Sequence, residues 1–215
     1  MRLNNKIAAM LMPVILFIAG CSTYSVNQEK SALPVARQDK QPIEAGPDPV
    51  ELAKRDYERA LDALGTGHDN NAKQQFLALI EAYPEFSGPY ANLGILYLRE
   101  GDLKAAEDNL TKAVQVNPDN AMAYNQLGIL YRRIGRFDEA KRAYDHALRI
   151  TPDYANAHLN LGILYDLFLQ NSRQALRHYE RYLELKPGDG DQVSLWLADL
   201  KQRIANNNIS TNEAR

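Results

Sequence analysis

Between residues 51 and 205, apolar residues return every three or four positions, the spacing that turns one side of an α-helix toward a core. The stripes come in pairs. Members of a pair are separated by Gly67, Gly101 or Gly135, each suited to the left-handed turn that ends a helix. Pro118, Pro152 and Pro187 stop the second stripe of three pairs, and Asp119, Asp153 and Asp189 stand in the turns that follow. The pattern predicts an all-α chain built from helix-turn-helix units.

The units repeat. Segments beginning at Ser87, Ala121 and Ala155 align so that Leu93, Gly94 and Tyr97 correspond to Leu127, Gly128 and Tyr131, and to Leu161, Gly162 and Tyr165. Further on, Ala106, Leu110, Ala113 and Pro118 correspond to Ala140, Tyr144, Ala147 and Pro152, then to Ala175, Tyr179, Tyr182 and Pro187 after a one-residue insertion near residues 170–172. Gly94, Gly128 and Gly162 fall inside a predicted helix, where glycine costs about 1 kcal/mol relative to alanine. Close helix packing is the expected return.

This 34-residue period of Leu-Gly, Tyr, Ala, aromatic, Ala and Pro resembles the tetratricopeptide repeat. Three copies occupy residues 87–120, 121–154 and 155–189, and a divergent one occupies 53–86, where Ala60, Ala72, Phe76 and Pro84 fit but Arg59 replaces a leucine. A single hairpin cannot bury its own apolar face, so the resemblance implies a right-handed superhelical solenoid of stacked hairpins over residues 51–205. Val193, Trp196, Leu197, Leu200 and Ile204 form a further helical stripe, read as a capping helix over 191–204 with Trp196 packed in the core. Residues 206–215 are read as a polar tail.

The amino-terminal end is built differently. Arg2 and Lys6 precede an uncharged apolar run from Ile7 to Gly20 that is shorter than the roughly 18–20 residues a membrane-crossing helix needs. That is the layout of a signal peptide over residues 1–20. Ile18-Ala19-Gly20-Cys21 at its end resembles the lipobox of bacterial lipoproteins, which implies cleavage before Cys21 and acylation there. By the same resemblance Ser22, in the place where aspartate favours inner-membrane retention, implies the outer membrane facing the periplasm. Residues 21–50, with prolines at 34, 42, 47 and 49, read as the lipidated cysteine and a flexible tether.

Charge narrows the partners. Loss of Arg2 and Lys6 from the 25 basic residues leaves 23 against 27 acidic ones, and such an acidic, exported chain is a poor candidate for nucleic-acid binding. The four histidines, His68, His146, His158 and His178, form no HExxH pair, and neither a CxxC nor a nucleophile elbow is present. No metal, cofactor or catalytic group is expected. His158 stands where Tyr90 and Tyr124 stand in other repeats and reads as a packing substitute.

The resemblance places partners on the concave face lined by the first helix of each hairpin. Mapping its positions two, five, six, nine, twelve and thirteen onto this chain gives Tyr57; Asn92, Ile95 and Arg99; Asn125, Gln126, Ile129, Arg132 and Arg133; and Asn160 and Ile163, with Lys54, Glu58, Leu61, Asn156 and Asp166 beside them. Asn92, Gln126 and Asn160 recur at one position. They form either a ladder for a peptide backbone or a solvated row, and Ile95, Ile129 and Ile163 either line the groove or pack between hairpins. The carboxylate clamp of chaperone-binding members needs lysine and asparagine where Ala91, Asn125, Leu159 and the three isoleucines stand, so that specificity is not expected. Charge is polarised, acidic over 53–86 and basic over 121–154, with Arg132, Arg133 and Arg136 the densest cationic site.

Together these features predict a lipid-anchored periplasmic adaptor that binds proteins or peptide segments of the cell envelope. The resemblance implies assembly of a type IV pilus or secretion machine, with adaptors for cell-wall hydrolases or outer-membrane protein assembly as alternatives. A groove-based enzyme or ligand carrier is a weaker reading, and self-association stays open.

Overall fold

The computed structural model describes residues 48–188 and 191–213. The signal peptide, Cys21 and most of the tether lie outside the described residues, as does Asp189. Nine helices run through the described part: α1 (Pro49–Gly65), α2 (Asp69–Ala82), α3 (Ser87–Glu100), α4 (Leu103–Val116), α5 (Ala121–Arg133), α6 (Phe137–Ile150), α7 (Ala155–Leu167), α8 (Ser172–Leu185) and α9 (Asp191–Glu213). They pair as four antiparallel hairpins, α1 with α2 through α7 with α8, and each second helix packs on the next first helix. The fold is an all-α solenoid closed by α9, which lies on α8.

The divergent segment is a full member of the stack. Ala60, Ala72 and Phe76 are completely buried in it and share a core with Leu93 and Leu96 of α3. Its first turn also takes in residues assigned to the tether. The Asp48 carboxylate accepts the Val50 N–H at 2.9 Å, and Pro49 sits at the first helical position, where its missing N–H costs nothing. At the other end α9 runs past the expected stop at Ile204 to Glu213, because residues 205–213 contain neither proline nor glycine to break it. Residues 206–213 are therefore helix, not tail.

Gly67, Gly101 and Gly135 have φ of 78°, 83° and 79°, the left-handed turn expected of them. The fourth hairpin has no such glycine. The inserted residue there makes Gln170 adopt φ 50°, a conformation that costs a side chain more than it costs glycine.

A different constraint acts at Gly94, Gly128 and Gly162. A Cβ built on them would lie 2.4 Å from Leu110 Cγ, 2.4 Å from Tyr144 Cε1 and 2.7 Å from Tyr179 Cδ1 respectively. Leu110, Tyr144 and Tyr179 occupy one repeat position, are essentially fully buried, and press flat against the bare backbone of the glycine. The absent Cβ is thus what lets the two helices of each hairpin approach.

Ion pairs stitch neighbouring hairpins along the surface, with Lys73 to Glu100 at 2.7 Å, Arg136 to Glu107 at 2.9 Å and Arg203 to Asp166 at 2.8 Å. The first two, both partly exposed, are worth about 0–1 kcal/mol each and favour the stacking register more than they stabilise the fold.

Gly128→Ala should destabilise the protein, because overpacking of about 1–3 kcal/mol outweighs about 1 kcal/mol of recovered helix propensity. Gly65→Ala, where an added Cβ meets nothing within 4 Å, should instead stabilise by about 0.5 kcal/mol. Urea denaturation of the two variants checks the sign of each change.

Candidate binding groove

The first helices contact one another across repeats, α3 with α5 and α5 with α7, whereas the second helices make no comparable contact. The first-helix row is therefore the shorter one, and the array bends toward it. Residues at the inward positions of α1, α3, α5 and α7 line the resulting groove.

The recurring amides do not stand there as one open ladder. Asn92 is 4% exposed, and its Nδ2 donates to Tyr57 Oη at 2.8 Å and to the Gly88 carbonyl at 3.0 Å. Asn125 is 2% exposed, and its Oδ1 accepts from Asn160 Nδ2 at 3.0 Å. Both bonds cross from one hairpin to the next and satisfy polar atoms inside the stack. Asn92, Asn125 and Tyr57 thus serve the fold, and burial raises the Tyr57 pKa against the opposing pull of its Asn92 bond. Gln126 and Asn160 remain half-buried at the groove surface and Asn156 is exposed. Ile95, Ile129 and Ile163 are half-buried, the last two packed on the largest core cluster, so the same side chains seal the hairpins and face the groove.

The arginines also separate. Arg99 reaches Asp69 at 3.4 Å. Arg133 donates from Nη1 to the Leu98 carbonyl at 2.7 Å, back across the hairpin boundary. Arg136 is held by Glu107 and Glu139 and lies 4.5 Å from the Tyr131 ring centroid, so its charge is spent locally. Residues one apart on a helix point about 100° apart, which is why a cluster in sequence is not one in space. Arg132 alone of these forms no ion pair among the described residues; its Nε is buried and its guanidinium meets the Tyr144 hydroxyl.

Beside Arg132 lies Tyr144. Its ring passes under Gly128 and its buried hydroxyl meets the guanidinium; burial raises the Tyr144 pKa, and the hydrogen bond and charge of Arg132 pull against that rise. One repeat on, Tyr179 passes under Gly162 in the same way and reaches Asp166, the counterpart of Arg132. The Asp166 side chain is 6% exposed, accepts from Arg203 Nη2 at 2.8 Å and receives the Tyr179 hydroxyl at 3.4 Å. In the hairpin before both, the corresponding residues are Leu110 and Leu98, apolar at each place. Sequence reasoning missed these pairs, although the joint change from Leu98 and Leu110 to Arg132 and Tyr144 signals them.

Next to Asp166 a recess of about 270 Å³ opens between α7 and α9, lined by Ile163, Leu167, Tyr179 and Trp196 with Asp199 and Arg203 at its rim. Trp196 is half-buried, 6.0 Å from the Tyr179 ring, and so both caps the core and forms a groove wall. A larger apolar recess of about 470 Å³, bounded by Val50, Tyr57, Tyr83 and Phe86, lies at the opposite end of the array, outside this row of polar groups.

Residues 119–187 match one tetratricopeptide-repeat family model and residues 88–120 another. Residues 88–187 are tetratricopeptide repeats. No curated protein matches the chain by sequence. Among solved structures, the chain is similar to PilF of Pseudomonas aeruginosa at 24% identity and a TM-score of 0.66, over 74% of this chain and 71% of that one. It is also similar to a thermophilic tetratricopeptide-repeat protein of Thermus thermophilus, at 27% identity and a TM-score of 0.60 over 73% and 82% of the two chains. The first repeat domain of Spaghetti (RPAP3), solved bound to an HSP90 peptide, is 25% identical with a TM-score of 0.52 over 55% of this chain and 93% of that one.

The histidines take structural places. Among the described residues no group of three or more His, Cys, Asp or Glu is placed to hold a metal ion. His146 stacks on Tyr124 at 4.9 Å while Asp145 pairs with Lys141 at 2.8 Å. His158 Nε2 lies 2.8 Å from the Pro152 carbonyl and its Nδ1 3.0 Å from His178 Nδ1, so a neutral His158 protonated at Nε2 accepts from His178. Burial, then the neighbouring His158, pushes the His178 pKa down to about 4, with Asp145 opposing and Arg177 and Lys141 adding to the fall.

A depressed histidine pKa means that the neutral form is the folded one. Its stability contribution is complete above about pH 6.5 and is lost as pH falls toward 4. Thermal melts between pH 7 and pH 4 should show this loss, and His178→Leu should flatten that part of the profile.

Proposed function

We propose that this protein is a lipid-anchored adaptor of the bacterial cell envelope, held by acyl chains on Cys21 at the outer membrane, facing the periplasm. Its solenoid binds an extended segment of a protein partner along the concave face. Binding, not catalysis, is its activity. The observation that carries this reading is the inward row of Gln126, Ile129, Asn160 and Ile163, half-buried side chains of alternating polar and apolar character on one continuous face. The lipobox at Ile18-Ala19-Gly20-Cys21 supports the anchor, and the stretch between Cys21 and α1 supplies reach. Among the described residues no helix is long and apolar enough to cross a membrane.

Within the envelope, we favour assembly of a type IV pilus or secretion machine over service to cell-wall hydrolases or outer-membrane protein assembly. Small size and uninterrupted repeats motivate that preference. Likeness to PilF at this identity is a likeness of fold and leaves the pathway to experiment.

Two variants test the two halves of the proposal. Cys21→Ser should leave the membrane fraction and accumulate as soluble or unprocessed protein; unchanged fractionation contradicts the anchor. An envelope pull-down with residues 22–215 should lose one partner when Gln126→Ala and Asn156→Ala are combined, with the helical circular-dichroism signal retained. Equal recovery of every partner contradicts the inner face. Asn92 and Asn125 are left intact because their loss would disturb the stacking itself.

A further inference from the structure

In the recess of about 270 Å³ between α7 and α9, apolar walls and charged groups meet on the inner row. Ile163 and Asp166 belong to that row, one turn apart on α7, and Leu167 beside them is 65% exposed, with most of its apolar surface uncovered. From α9 come Trp196 and, one and two turns further on, Asp199 and Arg203. The charges do not balance. Arg203 donates from Nη2 to Asp166 and from Nε to Asp199, each at 2.8 Å, so one guanidinium serves two carboxylates and a net of −1 remains. The Asp199 side chain is 67% exposed and engages Arg203 through Oδ2, while its Oδ1 accepts from no donor among the described residues. Arg132 of α5 is the last and smallest of the charges acting on Tyr179 and does not line the recess.

We infer that this recess receives one long cationic side chain, lysine or arginine, from the extended segment bound along the inner face. The methylene stem lies on Ile163, Leu167 and Trp196, and the charged head reaches Asp199 Oδ1 beside the indole. The volume suits a single side chain, since small-molecule sites run to roughly 300–1,000 Å³. An apolar side chain would cover the same walls but leave the negative charge uncompensated, and an acidic one would meet like charge. The inference rests on the inner face being the peptide-binding face.

Trp196 is the only tryptophan of the chain, so its fluorescence and its indole N–H resonance report on the recess alone. The test uses the full chain, labelled with ¹⁵N and kept in a zwitterionic detergent. Its probes are acetyl-Gly-Ala-Lys-Ala-Gly-amide and the same peptide with Arg, norleucine, Nε-acetyl-lysine or Glu in place of Lys. The Lys or Arg peptide should perturb Trp196 and bind about tenfold more tightly than the norleucine and acetyl-lysine peptides, with the preference shrinking as salt is added. The Glu peptide should bind most weakly. Asp199→Asn, at an exposed position, should reduce the preference to about twofold or less while the melting temperature holds. Arg203→Gln removes the competing guanidinium and should act in the opposite sense, raising Lys-peptide affinity about threefold without changing norleucine binding, even as the melting temperature falls.

Equal binding of the Lys, Arg and norleucine peptides, with Trp196 perturbed by all three, overturns the cation assignment and leaves the groove reading intact. Tighter binding of the Glu peptide overturns it as well. Shifts at Gln126 and Asn160 without a response from Trp196 overturn the recess as the receiving site but keep the inner face. Binding of no peptide overturns the inference, while fractionation and pull-down still judge the adaptor separately. A cation preference that survives Asp199→Asn contradicts the contact between that carboxylate and the charged head.

Discussion

Everything else in this molecule depends on a side chain lying where a glycine has no Cβ. Leu110, Tyr144 and Tyr179 press onto Gly94, Gly128 and Gly162 at distances that a methyl group would not permit. The contact sets the spacing of the two helices in each hairpin, and through it the stacking of hairpins into an array. It also decides what the groove can display. A leucine in that place ends in the core, whereas a tyrosine carries a hydroxyl through the hairpin to the inward residue one turn beyond the glycine. Core packing and groove chemistry are consequently one problem, solved with apolar groups in one hairpin and polar groups in the next two.

Most of the fold was legible because a helical period survives any local exchange of one apolar residue for another. The turn glycines, the stopping prolines and the interior glycines each mark a backbone event that few other residues permit. The failures have equally local causes. Gln170 occupies a left-handed turn that composition alone assigns to glycine. Pro49 begins a helix although prolines in the preceding stretch read as tether, and α9 continues because nothing in residues 205–213 stops it.

The binding face was less legible, for a reason specific to polar residues. Asparagine on a first helix looks like a groove residue until its partner is known, and Asn92 finds Tyr57 thirty-five residues away, as Asn125 finds Asn160. Such long-range pairs leave no trace in a helical period. Similarly, Arg132, Arg133 and Arg136 form one basic run in sequence but three separate situations in space: against the Tyr144 hydroxyl, on the Leu98 carbonyl, and between Glu107 and Glu139. The groove is thereby reduced to a short row of adaptable contacts and a recess walled by Trp196. Such a surface suits recognition of an extended segment, where backbone contacts supply affinity and one or two side chains supply choice.

Whether partners meet the first-helix row is the claim on which the rest of the functional account stands. Photo-crosslinking in intact envelopes, with a photoreactive residue placed in turn at Ile129, Ile163, Lys112 and Arg142, addresses it directly. The first two lie on the inward positions of α5 and α7, the last two are exposed on α4 and α6. The account predicts discrete adducts from Ile129 and Ile163 and none from Lys112 or Arg142. Adducts from the second-helix positions alone would contradict it.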